Sequence, residues 1–124
     1  MATTTQWIPY TPARSHAQEQ VLHWYGKTGT TSCLGSLNKM LFTALGQPTA
    51  LIIQYAPDMV RLRAGKDGEL GVRVRGIGPR QTPCFTATAL MRLLNFKQGE
   101  RWLWHPETED GVEWIVAERP GKEV

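Results

Sequence analysis

The sequence predicts a mainly β domain with short helices, folded as a barrel of two β-α-β-β units that are related by a pseudo-two-fold axis. Two observations support this fold class. A pattern of about 50 residues occurs twice, and short apolar segments alternate with turns that contain Gly and Pro. The two units are residues 20–64 and 70–117 of one domain, 19–124, which follows an N-terminal arm, 1–18.

The composition is that of a small globular protein. The chain has 124 residues, of which 41% are hydrophobic and 20% charged, so it can form one domain with its own core. No apolar run approaches the roughly 18–20 residues that a bilayer span requires, and the N-terminus lacks the features of a secretory signal. We therefore expect a soluble, cytoplasmic protein that does not contact a membrane.

The internal repeat appears when Cys33 is aligned with Cys84. The same alignment sets Met40 on Met91 and segment 51–53 on segment 102–104. With one inserted residue, segment 58–60 falls on segment 110–112. Because the two cysteines match, we predict that both are buried as small hydrophobic residues.

In the first unit, residues 21–25 form a predicted strand, followed by a turn at 26–29. Ser36 is the predicted N-cap of a helix whose apolar positions share one face, and Gly46 ends that helix. The apolar helix positions are Leu37, Met40, Leu41, Ala44 and Leu45. Strands at 50–55 and 59–63 complete the unit, and a loop at 65–68 separates the two units.

The second unit begins with a strand at 71–75, in which Val72 and Val74 face one side and Arg73 and Arg75 the other. A tight loop at 76–80 follows. Thr86 is the predicted cap of a helix over 87–95, and a turn at 97–100 leads into the last two strands. The inward helix residues are predicted to be Leu90, Met91, Leu93 and Leu94.

The last two strands, 101–105 and 112–117, are joined by a predicted turn at 106–111. Trp102 and Trp104 share one face of the first of these strands, which predicts a wall of the core or of an interface.

Charge is unevenly distributed along the chain. The net charge is +3, but residues 61–101 carry nine Lys and Arg against three acidic residues, whereas residues 102–124 carry two against six. A basic middle beside an acidic end favours an anionic partner at the middle. The alternative is an ordinary mixed and solvated surface.

Residues 72–104, with the segment that continues to 117, resemble the AbrB/MazE/SpoVT swapped-hairpin module. That module is a basic strand, a Gly-containing turn, a short strand leading into a capped helix, and a final hairpin. In the family, two short chains interlock into one DNA-binding barrel. The resemblance implies that residues 20–64 supply the other half here and that the basic strand and loop face double-stranded DNA.

The resemblance implies a DNA-binding transcriptional regulator with no cofactor. The candidate DNA-contacting residues are Arg73, Arg75, Arg80, Arg92 and Lys27. Arginine and lysine in this pattern bind phosphates, and arginine also reads guanine edges. The alternative function is a protein-interaction or structural accessory module on the same fold, acting with a protein partner or as a homodimer and encoded by a phage or mobile element.

The sequence does not predict an enzyme. It contains no GxSxG, HExxH or phosphate-binding loop motif, so we assign no catalytic residue. The three histidines and two cysteines lack the close spacing of metal ligands, so we predict no metal site.

Overall fold

A computed structural model describes residues 6–8, 20–26 and 29–121 of the chain. The regular structure of these residues is eight strands and two short helices, so the mainly β fold class is confirmed. In chain order the elements are β1 (Val21–Tyr25), β2 (Leu34–Ser36), α1 (Lys39–Ala44), β3 (Ala50–Ala56), β4 (Met59–Ala64), β5 (Val72–Arg73), β6 (Cys84–Thr86), α2 (Thr88–Leu94), β7 (Arg101–Glu109) and β8 (Val112–Glu118).

All eight strands belong to one antiparallel sheet with the order β5, β3, β4, β8, β7, β1, β2 and β6. The two ends of this sheet meet at Arg75 and Cys84, which lie just after β5 and at the start of β6. These two residues exchange backbone hydrogen bonds of 2.8 and 2.9 Å. The sheet is therefore a nearly closed barrel, and closure satisfies strand edges that would otherwise be free to pair with other chains.

The strand order shows the pseudo-two-fold relation between the units. Exchanging β1 to β4 with β5 to β8 leaves every neighbour relation in the closed order unchanged. The pairs β2–β6 and β4–β8 join equivalent strands across the axis. The predicted pseudo-two-fold barrel is thus confirmed, with one addition: each unit contains a further three-residue strand, β2 or β6.

Two hydrogen bonds fix the equivalence of residues near the axis. The Leu37 N–H donates to the Pro83 carbonyl, and the Ala87 N–H donates to the Cys33 carbonyl, both at 2.8 Å. The pseudo-two-fold axis relates these two bonds to each other only if Cys33 is equivalent to Pro83. The predicted alignment of Cys33 with Cys84 is therefore wrong by one residue, because strand pairing rather than side-chain identity sets the repeat.

The register further along the chain confirms one alignment and corrects another. Leu51 pairs with Val72 in the way that Trp102 pairs with Leu22, which confirms that segments 51–53 and 102–104 are equivalent. In contrast, segment 58–60 does not match 110–112, because the β7–β8 hairpin is longer than the β3–β4 hairpin.

The predicted turn at 106–111 is wrong in extent. The turn consists of Asp110 and Gly111, and residues 106–109 continue β7. Pro106 lies beyond Arg101–Leu103, the part of β7 that pairs with β1, so none of the described residues pairs with the side of Pro106 that lacks an N–H.

Both helices begin later than predicted, α1 by two residues and α2 by one. Ser36 and Thr86 lie in β2 and β6 instead of capping helices. The N-cap of α1 is Asn38, whose side chain accepts a hydrogen bond of 2.9 Å from the Leu41 N–H. Sheet pairing overrides the local capping preference here, because β2 hydrogen-bonds to a strand on each side.

The helices bury fewer side chains than predicted. Leu37, Leu41 and Leu45 are buried, but Met40 is 40% exposed and Leu93 is 61% exposed. Helices of six and seven residues make about two turns, so only a narrow row of positions reaches the barrel. Within the described ranges, no helix has the length and apolar character needed to cross a membrane.

An aromatic cluster fills one part of the core. The Trp24 ring lies 4.5 Å from Phe96, 5.4 Å from Trp102 and 5.9 Å from Phe85, measured between centroids. Trp102 and Trp104 are both buried, which confirms the predicted core wall.

Candidate nucleic-acid interface

The extended segment of β5 and the two residues after it holds Arg73 and Arg75 on the outside of the barrel. Val74 is buried and Val72 half-buried, whereas both arginines are exposed, because side chains alternate along an extended chain. The backbone beneath them is fixed by pairing of Arg73 with Ala50 and of Arg75 with Cys84. The predicted orientation of the two arginines is confirmed.

The outer surface of β1, β2, β6 and β5 forms one continuous area, which we call the four-strand face. A row of paired residues crosses it: His23 pairs with Ser36, Ser36 with Cys84, and Cys84 with Arg75. The inward neighbours of this row include the buried Trp24 and Phe85. The four-strand face therefore joins the two units in a single surface.

The first unit contributes aromatic side chains to the four-strand face. The His23 and Tyr25 rings lie 5.9 Å apart. Burial, together with a hydrogen bond and charge interaction with Cys84, raises the pKa of Tyr25 to about 12. Tyr25 is thus an uncharged hydrogen-bonding group at physiological pH.

The two cysteines have different environments. Cys33 is buried, and its burial raises the pKa of the thiol to about 11. Cys84 is only partly buried and lies on the four-strand face. The prediction that both are buried is correct for Cys33 and wrong for Cys84, because the two occupy non-equivalent positions of the repeat.

Part of the basic charge of residues 61–101 is neutralised. Arg61 pairs with Glu109 at 2.6 Å, and Arg63 pairs with Glu69 at 2.6 Å. Both guanidinium groups also lie over the Trp114 ring, at 4.2 and 5.3 Å from its centroid. These two arginines are therefore engaged within the protein.

The second unit's exposed arginines differ in this respect. In residues 6–8, 20–26 and 29–121, no carboxylate forms an ion pair with the arginines at positions 73, 75, 80 and 92. All four side chains belong to exposed residues: Arg73, Arg75, Arg80 and Arg92.

A shallow groove lies beside the two strand arginines. Its volume is about 480 Å³. The lining residues are Thr49, Arg73, Val74, Arg75, Gly76 and Ile77. The groove begins at the strand and continues into the loop that carries Arg80.

That loop is held in shape by Gly76, whose φ is +71°. A Cβ at Gly76 would lie 2.6 Å from the Thr82 carbonyl oxygen, so only glycine allows the two sides of the loop to approach so closely. Gly26 has the same relation to the Ser32 carbonyl in the first unit. Lys27, predicted to contact DNA from this first-unit loop, lies outside the described residues.

Arg92 is not brought to the same place as the strand arginines. It lies in the last turn of α2, and the helix end formed by Leu93 and Leu94 lines a cavity with the β3–β4 turn. Three of the predicted residues, Arg73, Arg75 and Arg80, therefore share one strand and its loop, and Arg92 belongs to another part of the surface.

The strand arginines could be found from alternation within residues 71–75, but the contribution of Tyr25 was missed. The available signal was the same alternation in Val21–Tyr25, which places His23 and Tyr25 opposite the buried Leu22 and Trp24. Tyr25 shares a surface with the strand arginines only because β2 pairs with β6. Strands of three residues carry too little periodicity to be recognised from the sequence.

Among the described residues, no group of three His, Cys, Asp or Glu side chains is placed to hold a metal ion. Comparison with known proteins finds no matching family model, no similar curated protein and no similar solved structure.

Proposed function

We propose that this protein is a non-enzymatic transcriptional regulator that binds double-stranded DNA through the four-strand face and the loop carrying Arg80. The observation that carries the proposal is the pair Arg73 and Arg75, exposed on one face of a strand with no carboxylate partner among the described residues. The resemblance of residues 72–104 to the AbrB/MazE/SpoVT module supports the same role.

The chemistry of the two arginines suits a nucleic acid. Alternate residues on a strand are about 6.5 Å apart, which is close to the phosphate spacing along one DNA strand. Each guanidinium can donate two parallel hydrogen bonds to a phosphate or to the O6 and N7 edge of guanine. The N–H and the carbonyl of Arg75 both hydrogen-bond to Cys84, so the backbone that carries these donors is held in place.

Phosphate contacts make a quantitative prediction. Each neutralised phosphate contributes about −0.9 to the slope of log affinity against log salt concentration. Replacing Arg73 and Arg75 together with alanine should therefore make the slope shallower by about 1.8 and weaken binding. The measurement is fluorescence anisotropy with a labelled short duplex at salt concentrations between about 50 and about 200 mM.

The matched control is Lys66→Ala with Lys97→Ala. It removes the same charge from exposed positions outside the four-strand face. We expect the control to change the slope much less than the arginine pair does. Binding that is absent at about 50 mM salt, or a slope that falls equally in both double variants, would remove the proposal.

A second candidate is a protein-interaction module. It is favoured by exposed apolar side chains around the β3–β4 turn, where Tyr55 is 57% and Leu93 61% exposed and both line one cavity. Exposed aromatic and aliphatic residues that lie together are typical of protein interfaces. Under this candidate, Tyr55→Ser with Leu93→Ser abolishes partner binding or self-association, and duplex binding at low salt is absent.

A further inference from the structure

The pseudo-two-fold axis pairs each basic residue of the four-strand face with a specific position of the first unit. Tyr25 pairs with Leu34 across β1 and β2, and Arg75 pairs with Cys84 at the same place in the second unit. Each residue of the second pair lies 50 positions after its counterpart in the first pair. Tyr25 is therefore equivalent to Arg75, and His23 is equivalent to Arg73.

The loops after these strands continue the equivalence. Gly26 approaches the Ser32 carbonyl as Gly76 approaches the Thr82 carbonyl, so the two loops have the same length. Thr30 is accordingly the counterpart of Arg80. By the same count along the sequence, Lys27 is the counterpart of Ile77.

We infer that the barrel makes one phosphate-binding half instead of two, so that a single chain binds DNA asymmetrically, with the second unit on the sugar–phosphate backbone. This inference rests on the proposed function. Three arginines of the second unit stand where the first unit has histidine, tyrosine and threonine. Only Lys27 adds a fixed positive charge to the first unit's loop.

The dimensions of the four-strand face support one contact with one backbone. Three strand spacings separate β1 from β5, which is about 14 Å, and this is comparable to the major-groove width of about 12 Å. With Arg73 and Arg75 on a phosphate backbone, His23 and Tyr25 lie at the opposite edge of the groove. An uncharged Tyr25 offers a hydrogen bond there and releases no counterion.

The test adds to the first unit the arginines that it lacks. His23→Arg with Tyr25→Arg recreates the second unit's charge pattern on the first unit. If both new arginines reach phosphates, the salt slope steepens by about 1.8, and a fourfold reduction in salt raises affinity by about 12-fold more than in the unmodified protein. His23→Arg alone keeps the contact of Tyr25 with Cys84 and should give about 3.5-fold.

The control is Thr43→Arg with Thr108→Arg, which adds the same charge at exposed positions of α1 and β7 outside the four-strand face. We expect it to leave the slope close to that of the unmodified protein. Equal slopes for His23→Arg, its double variant and the control would overturn the inference. If Arg73→Ala with Arg75→Ala still weakens binding in that case, the proposed function stands and only the asymmetry is wrong.

Discussion

Glu69 holds the connection between the two units through three hydrogen bonds. The Arg63 guanidinium donates to both carboxylate oxygens, at 2.8 and 2.6 Å, and the Lys66 backbone N–H donates at 2.8 Å. These contacts lower the pKa of Glu69 to about 2, mainly through Arg63. The carboxylate therefore stays ionised in the folded protein at pH values where it would be protonated in the unfolded chain.

This pKa shift predicts how stability depends on pH. Because the folded pKa lies below the ordinary value of 4.5, the stabilising contribution of Glu69 is complete above pH 4.5 and is lost as pH falls towards about 2. Glu69→Gln should lower the free energy of unfolding near neutral pH, and the difference from the unmodified protein should shrink across this window. Urea unfolding at a series of pH values measures both.

A suitable comparison is Glu113→Gln, since Glu113 is exposed and forms no ion pair with the residues that the structure describes. Its stability difference should be small at all pH values. A Glu69→Gln difference that persists unchanged at pH 2 would contradict the assignment.

Between elements, β2 and β6 pair with each other across the axis. Gly35 pairs with Phe85, and their positions in the two units are equivalent. A Cβ on Gly35 would lie 2.3 Å from the Phe85 ring. The Phe85 ring of the second unit thus fills the space beside Gly35 of the first unit. At this place the two halves are complementary and not interchangeable.

Gly35→Ala should therefore destabilise the fold. Alanine suits a strand better than glycine by roughly 0.5–1 kcal/mol, but the clash with a fully buried ring outweighs this gain, and we expect a net loss of roughly 1–3 kcal/mol. Phe85→Leu in the same chain should recover part of that loss, giving a favourable coupling of about 1 kcal/mol in a double-mutant cycle.

Urea unfolding of the four proteins in this cycle gives the coupling directly. Gly121→Ala is the reference, because a Cβ there meets nothing within 4 Å. Additive effects of Gly35→Ala and Phe85→Leu would show that the two positions do not share the space on the axis.

Across the whole molecule, each hairpin is enclosed by strands of the other unit. The β3–β4 hairpin lies between β5 and β8, and the β7–β8 hairpin lies between β4 and β1. Trp24 of the first unit packs against Trp102 and Phe96 of the second. Neither unit therefore buries its own core.

This interlocking predicts the behaviour of the separated units. Residues 20–68 and 69–121 expressed alone should lack a cooperative unfolding transition, whereas an equimolar mixture should regain it. The near-ultraviolet circular dichroism of the buried Trp24 and Trp102 reports assembly, because their rings are 5.4 Å apart at an angle of 80° only when both units are present. A fully folded separate unit would contradict the interlocked arrangement.

The local sequence pattern was enough to predict those features that depend on a single segment of the chain. Alternation in residues 71–75 predicts which side of this extended segment carries Arg73 and Arg75, and the apolar runs predict β1, β3 and β4 closely. The repeat predicts two related units. These signals survive because side-chain periodicity is a property of a strand itself.

Other features depended on residues distant in sequence. Leu34–Ser36 and Cys84–Thr86 become strands only because they pair with each other across the axis, and this pairing moves both helix starts away from Ser36 and Thr86. It also creates the four-strand face that joins His23 and Tyr25 to Arg75. The sequence by itself determined the fold class and the outward direction of the arginine side chains. The tertiary structure decided the strand register and which residues lie beside those arginines, because contacts between the units outweigh local preference over three-residue segments.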